Sequence, residues 1–377
     1  MNVEHRSGEF TRRTKSCGNR AALAALLSGV MVLTVALTGC GPAGGSGGNP
    51  AAKPVVEKQD FLLNTVCNLK LQQWDDSVED PEALAAEAFS LARDLENRLS
   101  RTVEGSDVWM INHANGERVH IEDTHTMELL RLAKDYCELS EGRFDITVGK
   151  LSALWNFSSG KNIVPAEEEI LAELPGVGYE KLELIGLETP TGEALSVWLT
   201  PETHLDLGAI AKGYIVDQVR LFLKENGVTR GIVDFGGNIA VIGEKPDGSP
   251  WLIGIKKPVS SSGHSAGQDT TLGIVSVPAD GTAVTSGTYE RKFEQDGVLY
   301  HHILDPATGY PCETDVASVT IVGATGSADC DALSTTCLIL GLEEGMELIE
   351  SIDGVEAVFV TDDGEVHTTS GAEYEAL

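Results

Sequence analysis

Two segments of the sequence combine residue types that could bind a phosphate and a divalent cation. One is Asp-Leu-Gly-Ala-Ile-Ala-Lys-Gly-Tyr, residues 206–214, in which small residues and Lys212 stand where a strand end would lead into a helix. The free N–H groups and the positive dipole end of a helix start suit an anionic phosphate. In the other segment, Asp331 and Thr335 are four residues apart and would share one helical face. Together the two segments predict chemistry on a nucleotide.

Asp331 and Thr335 supply a carboxylate and a hydroxyl, which are oxygen donors of the kind that Mg²⁺ prefers. Mg²⁺ binds six oxygens but commonly takes only a few of them from protein, and water and phosphate supply the rest. Two side chains and one backbone carbonyl would therefore be enough to hold a phosphate-bound Mg²⁺. The sequence contains no Walker A phosphate loop.

A histidine and an aspartate stand close together in His-His-Ile-Leu-Asp-Pro-Ala-Thr-Gly, residues 301–309. The imidazole and the carboxylate could form an acid–base or orienting pair, or the segment could simply form a turn. Other polar segments also have two interpretations. Lys212 could be a surface lysine whose stem packs on apolar neighbours. Residues 234–238 could be a hairpin turn or a place where a ligand approaches the backbone, and residues 285–291 could be a loop.

The order of helix and strand patterns predicts an α+β protein, a single domain of mixed, largely antiparallel sheets with flanking helices. Helical periodicity is found over residues 81–99, 126–139, 209–226 and 327–340. Short apolar runs between turn signals predict strands over residues 61–71, 231–235, 239–242, 251–255, 272–277, 317–322 and 357–360.

The N-terminus has the pattern of a signal peptide, with five basic residues before an uncharged run over residues 21–39. The run ends in Leu-Thr-Gly followed by Cys40, which resembles the lipobox of bacterial lipoproteins. We expect a signal peptide over residues 1–39, lipid on Cys40, a flexible Gly-rich tether over residues 40–57 and one domain over residues 58–377. The alternative is a transmembrane anchor, because the run is about long enough to span a bilayer.

The charge and the cysteines restrict the partners and the covalent chemistry. A formal net charge of −31 disfavours nucleic acid and anionic membrane surfaces as electrostatic partners. The cysteines of the expected domain are scattered without a CxxC motif, which favours buried thiols and leaves a Cys312–Cys330 pair open.

Six motifs in their order along the chain closely resemble the ApbE family, whose members are FAD:protein FMN transferases and often lipoproteins. The resemblance covers residues 59–366. It implies the α+β fold of that family, which is T-fold-like, and an enzyme that binds FAD with Mg²⁺, joins FMN to a threonine or serine of a target protein through a phosphoester, and releases AMP. The motifs are Phe144-Asp145, Asp206-Leu-Gly-Ala-Ile-Ala-Lys-Gly-Tyr, Asp234-Phe-Gly-Gly-Asn, Thr285-Ser-Gly-Thr-Tyr-Glu-Arg, His302-Ile-Leu-Asp-Pro-Ala-Thr-Gly and Asp331-Ala-Leu-Ser-Thr-Thr.

The resemblance also implies roles for particular residues. The metal would be held by Asp331, Thr335 and the backbone carbonyl of Ala209. His302 would be the catalytic acid or base, and Asp305 would orient or support it. FAD would be contacted by Leu63, Arg143, Phe144, Asp145, Asp206, Lys212 and Ile303.

The sequence departs from the family pattern at two positions near the expected flavin or adenine. Leu63-Asn64-Thr65 stands where many members have Met-Gly-Thr, and Ser100-Arg101-Thr102 has a threonine where some members have tyrosine. The acceptor implied is a flavin-carrying subunit or domain of a membrane redox system, outside the cytoplasm. The alternatives are an FAD-binding lipoprotein, an FAD pyrophosphatase, and a solute-binding lipoprotein with no affinity for flavin.

Overall fold

The structure is a computed structural model that describes residues 54–189, 192–258 and 271–377. The expected signal peptide, Cys40 and most of the expected tether lie outside these ranges. The first strand begins at Val56, two residues before the expected domain boundary. Within the described ranges, no helix is long and apolar enough to cross a lipid bilayer.

The strands in the described part of the chain form one large sheet and three small ones. In chain order they are β1 Val56–Leu62, β2 Thr65–Trp74, β3 Val119–Ile121, β4 Leu182–Thr189, β5 Gly192–Leu199, β6 Val228–Phe235, β7 Asn238–Ile242, β8 Trp251–Lys256, β9 Thr271–Val277, β10 Thr282–Gly287, β11 Lys292–Gln295, β12 Val298–His301, β13 Val316–Gly323, β14 Val355–Thr361, β15 Val366–Thr368 and β16 Tyr374–Ala376.

The large sheet has the strand order β1-β2-β6-β7-β10-β13-β14-β15, and its neighbouring strands are antiparallel. Its residues alternate between two cores, as the period of a strand requires. Val284 packs with the helical layer, while the preceding Ala283 packs with Val275 and Trp251 of the small sheet β16-β9-β8. The other small sheets are β3-β5-β4 and the hairpin β11-β12. The expected α+β class is confirmed.

The helices that pack on these sheets include the four that the sequence predicted. In chain order the helices are α1 Pro81–Leu99, α2 Asp107–Asn112, α3 Thr124–Leu139, α4 Gly149–Trp155, α5 Glu167–Glu173, α6 Ala211–Glu225, α7 Ser327–Leu340 and α8 Leu342–Glu350. The start of α1 shows why the sequence was readable: the side chain of Asp80 accepts the N–H of Ala83 at 3.0 Å, and Pro81 occupies the first turn.

The helices α6 and α7 lie against each other under the large sheet, and their contact positions the functional site. Most of α7 is buried, because it packs on α6 as well as on β10 and β13. A glycine makes the close approach possible: a Cβ atom on Gly213 would lie only 2.3 Å from the carbonyl oxygen of Ser327. Any side chain at this position would push α6 away from α7.

The prediction for the first strand was wrong. Residues 61–71 were expected to be one strand, but the chain reverses at Leu63 and Asn64, where Leu62 pairs with Thr65. Both turn residues adopt left-handed backbone angles, with φ of 54° and 57°. These angles fit a two-residue hairpin turn, for which glycine is the usual signal. The hairpins β4–β5 and β11–β12 and the helices α2, α4, α5 and α8 were also not predicted.

The cysteines of the described chain are buried and free, so the expectation of buried thiols is confirmed. They are Cys67, Cys137, Cys312, Cys330 and Cys337. Cys312 and Cys330 are therefore not joined to each other. Burial raises the pKa of the Cys67 and Cys312 thiols to about 12, which keeps both protonated and unreactive at neutral pH.

Candidate active site

A cavity of about 460 Å³ lies where the β1–β2 turn, the loops before α4 and α6, the hairpin β11–β12 and α7 meet. It is lined by the predicted site residues Leu63, Arg143, Phe144, Asp145, Asp206, Ala209, Lys212, His302, Ile303, Asp331 and Thr335. Residues from widely separated parts of the chain are thus brought together. Asp305 does not line the cavity, and Cys40 lies outside the described residues.

The junction of α6 and α7 gives the cavity its oxygen donors. The backbone N–H of Gly213 donates to Oδ2 of Asp331 at 2.9 Å. Gly213 is the third residue of α6, and the N–H groups of the first turn of a helix have no acceptor within the helix, so Asp331 satisfies one of them. Ala209, two residues before α6, also lines the cavity wall. Thr335 follows Asp331 by one turn and also faces the cavity.

Asp331 is a buried carboxylate beside a lysine. It is 3% exposed, and burial raises its pKa, while the positive charge of Lys212 and the N–H of Gly213 act in the opposite direction. Nζ of Lys212 also lies 3.4 Å from the carbonyl oxygen of Gly236. An ionised Asp331 in this position would gain from a bound cation, because a buried charge is costly unless it is paired.

The donor set fits a hard cation such as Mg²⁺. It consists of one carboxylate, one hydroxyl and one carbonyl, all of them oxygen donors of the kind that Mg²⁺ takes from proteins. Within the described ranges, no group of three or more His, Cys, Asp or Glu side chains is placed to hold a metal ion.

His302 lies at the base of the β11–β12 hairpin. Its backbone N–H donates to the carbonyl oxygen of Arg291 at 3.1 Å, and its Nδ1 atom is buried without a hydrogen-bond partner among the described residues. Burial lowers the pKa of His302 to about 3, helped by the positive charges of Arg291, His301 and Lys212. The imidazole is therefore neutral at physiological pH and can accept a proton.

Asp305 has a different place from the one expected. Its carboxylate accepts the N–H of Ala307 at 2.9 Å and the hydroxyl of Thr308 at 3.2 Å, both within its own turn. Asp305 thus holds the turn that follows the histidine. Direct support of the imidazole stays a prediction.

The loop with Arg143, Phe144 and Asp145 is held by Asp145. Its carboxylate accepts the N–H and the hydroxyl of Thr147 at 2.8 and 2.6 Å and the N–H of Tyr179 at 2.9 Å. Burial raises the pKa of Asp145, although these donors counteract the rise. Phe144 is 2% exposed, whereas Arg143 is exposed. Of the three residues, Arg143 is the one whose side chain is free to meet a ligand.

Two further carboxylates shape the cavity by binding groups of the protein. Oδ2 of Asp206 lies 2.9 Å from Nε of Arg101, and Oδ1 of Asp206 accepts the N–H of Gly208 at 2.9 Å. Glu96 accepts the N–H of Leu63 at 2.7 Å and so supports the left-handed turn. The Asp-Phe-Gly-Gly-Asn segment is a hairpin turn at Gly236 and Gly237, as one of its two interpretations proposed.

Several cavity residues had no assigned role in the sequence. Arg101 and Arg291 belong to quoted motifs, and their positive charges were the available signal. Glu290 belongs to the same motif as Arg291, whereas Glu96 and residues 156–158 after α4 carried no signal in the sequence.

Comparisons with known proteins identify the family of the chain. A model of the ApbE family matches residues 63–359. A curated relative from Treponema pallidum, named FAD:protein FMN transferase, is 34% identical over 349 residues, which make up 90% of this chain and 92% of the relative. One from Klebsiella pneumoniae with the same name is 36% identical over 310 residues, 82% of this chain and 90% of the relative.

Solved structures support the same family assignment. An ApbE protein from Thermotoga maritima has a TM-score of 0.72 at 31% identity and covers 84% of this chain and 97% of that one. The flavin transferase ApbE from Vibrio cholerae has a TM-score of 0.71 at 31% identity, with coverages of 84% and 98%. The chain therefore belongs to the ApbE family. This confirms the resemblance found in the sequence and the expectation that the protein is an enzyme.

Proposed function

We propose that the protein transfers FMN from FAD to a threonine or serine hydroxyl of an acceptor protein, in a Mg²⁺-dependent reaction that forms a phosphoester and releases AMP. The proposal extends to this chain the activity for which its curated relatives are named. The observation that carries it is the meeting of the oxygen donors of Asp331, Thr335 and Ala209 with the imidazole of His302 in one cavity.

The chemistry is a displacement at phosphorus. The acceptor hydroxyl oxygen attacks the phosphorus on the FMN side of the pyrophosphate, and the bond from that phosphorus to the bridging oxygen breaks. AMP leaves with the bridging oxygen and its electron pair, and the hydroxyl proton passes to His302. Such a reaction asks the protein for positioning and charge stabilisation more than for covalent chemistry. The imidazole of His302 lies at the cavity wall in its unprotonated form, which is the form that can take up the hydroxyl proton.

The negative charge of the substrate is met by two kinds of group. Asp331, Thr335 and the Ala209 carbonyl would hold the cation, and when bound the ion would neutralise charge on the pyrophosphate and on the departing phosphate. Lys212 adds a fixed positive charge beside Asp331. Local cations are needed here because the chain as a whole has a net charge of −31.

The proposal is tested by measuring AMP release by chromatography, with FAD, Mg²⁺ and a candidate acceptor domain. The domain carries Asp-x-x-Thr-Gly-Ala-Thr, a pattern of acceptor sites that the resemblance to the ApbE family implies. The transferase hypothesis predicts one AMP for each acceptor modified, and little AMP when the threonines of the acceptor motif are changed to valine. Equal release of AMP and FMN without acceptor would indicate a pyrophosphatase. Intact FAD despite tight binding would favour a binding protein.

The proposed location is the outer face of the cell membrane, with lipid on Cys40. The support is the Leu-Thr-Gly-Cys sequence and the Gly-rich tether that follows it. The acceptor would then be an extracytoplasmic subunit or domain of a membrane redox system. Labelling of producing cells with radioactive palmitate tests the anchor: incorporation should be lost in the Cys40→Ser variant, and persistence of the label there would contradict it.

A further inference from the structure

Arg291 ends the polar segment 285–291, to which neither the FAD assignment nor the metal assignment gives a role. Its side chain lines the active-site cavity and is exposed there. In the part of the chain that the structure describes, the guanidinium makes no salt bridge and no side-chain hydrogen bond. An arginine carries five N–H donors in a planar fork that matches phosphate oxygens. These donors are therefore free for a ligand.

The other cationic side chains that line the cavity either interact with carboxylates or belong to a different segment. Arg101 is paired with Asp206 at 2.9 Å, and the charge of Lys212 acts on Asp331. Arg143 also has no salt-bridge partner among the described residues, but it belongs to the loop after α3, which is held by Asp145 and Tyr179. Arg291 is the cation whose field acts most strongly on His302. Among the described cations of the cavity that lack a partner, Arg291 therefore has the strongest electrostatic effect on the proposed base.

The hairpin fixes Arg291 and His302 relative to each other. Lys292 pairs with His301 in the register of β11 and β12, and the next pair outward is Arg291 with His302, joined by the 3.1 Å bond between their backbones. The hairpin itself is anchored by stacked rings, with centroids 5.4 Å apart for Phe293 and Tyr300. A cation and a base are therefore presented to the cavity at one fixed spacing.

We propose that Arg291 binds the phosphoryl group that is transferred to the acceptor, next to the point where His302 takes up the acceptor's proton. The inference rests on the proposed transfer of FMN. In the transition state the negative charge is spread over the equatorial oxygens of that phosphoryl group, and a forked cation placed there stabilises it more than it stabilises the bound substrate. Arg291 would thus act mainly on kcat.

The pairing also couples the base to the substrate. In the free protein the positive charge of Arg291 helps to keep His302 unprotonated. Phosphate oxygens bound to Arg291 cancel this field and add negative charge near the imidazole, which makes His302 a stronger base when FAD is in place. His302 is therefore unprotonated before FAD binds, and the binding of FAD increases its basicity.

The test compares Arg291→Met and Arg291→Lys with the wild type, using the full chain, FAD, Mg²⁺ and an acceptor domain. Incorporation of FMN is followed by mass spectrometry and FAD binding by quenching of flavin fluorescence. Loss of a positioned donor for transition-state charge costs about 100-fold to 1,000-fold in kcat. We expect such a loss for Arg291→Met, a smaller loss for Arg291→Lys, and a much smaller change in the dissociation constant of FAD.

Lys292→Met is the matched control, because Lys292 is the neighbouring cation on the same hairpin and does not line the cavity. It should keep the wild-type kcat. Wild-type kcat in Arg291→Met would overturn the role of Arg291 while leaving the transferase intact. If Arg291→Met does not fold, Arg291→Lys decides, since wild-type kcat there would exclude a need for the forked cation. A wild-type protein that leaves the acceptor unmodified would contradict the proposed function, and with it the role of Arg291.

Discussion

The backbone N–H of Gly213 donates a 2.9 Å hydrogen bond to Oδ2 of Asp331 and so ties the first turn of α6 to the middle of α7. The bond fixes the carboxylate. Ala209, two residues before α6, lines the same cavity. The start of α6 and its contact with α7 thus bring together the residues that supply two of the three oxygen donors proposed for the cation.

The Asp331→Asn substitution should abolish Mg²⁺-dependent transfer without unfolding the protein. The amide retains an oxygen for the Gly213 N–H but lacks the charge, and a loss on the order of 100-fold or more in kcat follows from the loss of a cation ligand. Burial raises the pKa of Asp331, so the ionised form costs stability at neutral pH. The variant should therefore be at least as stable as the wild type in urea at pH 7.

Thr335→Val should also lose Mg²⁺-dependent transfer, because the substitution removes the hydroxyl that faces the cavity. Thr336→Val is the control. The hydroxyl of Thr336 donates to the carbonyl of Ala332 at 2.8 Å inside α7 and does not face the cavity. Full activity of Asp331→Asn or Thr335→Val at ordinary Mg²⁺ would exclude this metal site.

Gly213→Ala should separate α6 from α7. The new Cβ would lie 2.3 Å from the carbonyl oxygen of Ser327, and overpacking of this kind costs about 1–3 kcal/mol. Urea denaturation measures the cost, and titration with Mg²⁺ should show weaker binding because Asp331 loses its fixed position. Gly254→Ala, whose Cβ would meet Thr271 at an ordinary 3.5 Å, should leave both quantities close to the wild type. Wild-type stability and Mg²⁺ affinity in Gly213→Ala would show that the contact has no such role.

The pH dependence of transfer should lack the acidic limb of an ordinary histidine. The pKa of His302 is lowered to about 3 by burial and by Arg291, His301 and Lys212, so the imidazole stays unprotonated as the pH falls through 6.5. Since kcat/KM reports the pKa values of the free enzyme, its profile with FAD should show no limb near pH 6.5 that belongs to His302. A limb at this pH that disappears in His302→Gln would contradict the low pKa.

The same lowered pKa values affect stability in acid. His302, with a pKa of about 3, and His301, with a pKa of about 4, bind protons more readily when the chain is unfolded. Their contribution to stability is present above pH 6.5 and is lost as the pH falls through the folded-state values. The free energy of unfolding of His302→Gln should therefore depend less steeply on pH between 6.5 and 4 than that of the wild type. An unchanged slope would mean that His302 titrates normally.

Phe293→Ala should lower kcat by loosening the hairpin that presents Arg291 and His302. Phe293 is 6% exposed and stacks on Tyr300, and removal of a buried phenylalanine costs about 3–5 kcal/mol. Most of the cavity wall comes from other segments of the chain, so the affinity for FAD should change less than kcat. Phe61→Ala is the control, since that ring is 64% exposed. Equal kcat in Phe293→Ala and the wild type would show that the hairpin need not be rigid.

Local signals in the sequence located four of the eight helices in the described part of the chain. The sequence placed α1 and α7 with their observed ends, because Asp80 and Pro81 mark the start of α1 and a glycine follows α7. The hairpin β1–β2 was missed, since its turn residues Leu63 and Asn64 include no glycine although both have positive φ. Turn chemistry of this kind depends on support from elsewhere in the fold, here the carboxylate of Glu96.

The motifs in the sequence identified residues of the site, but they could not show which other residues these contact. The resemblance located Asp206 and Asp145 as candidate FAD contacts. The structure shows Asp206 paired with Arg101, 105 residues away, and Asp145 bound to the N–H of Tyr179, 34 residues away. Such partners are set by tertiary packing and leave no periodic trace in the sequence. For the same reason Arg291, whose motif was noticed, received no role until the hairpin placed it beside His302.

The most direct test of the central claim is the intact mass of an acceptor domain carrying Asp-x-x-Thr-Gly-Ala-Thr after incubation with the protein, FAD and Mg²⁺. The predicted result is a gain equal to one FMN joined through a phosphoester, located on the acceptor threonine of that motif. The gain should be absent with the Asp331→Asn variant. An acceptor of unchanged mass, with FAD consumed to AMP and free FMN, would contradict the transfer of FMN to protein.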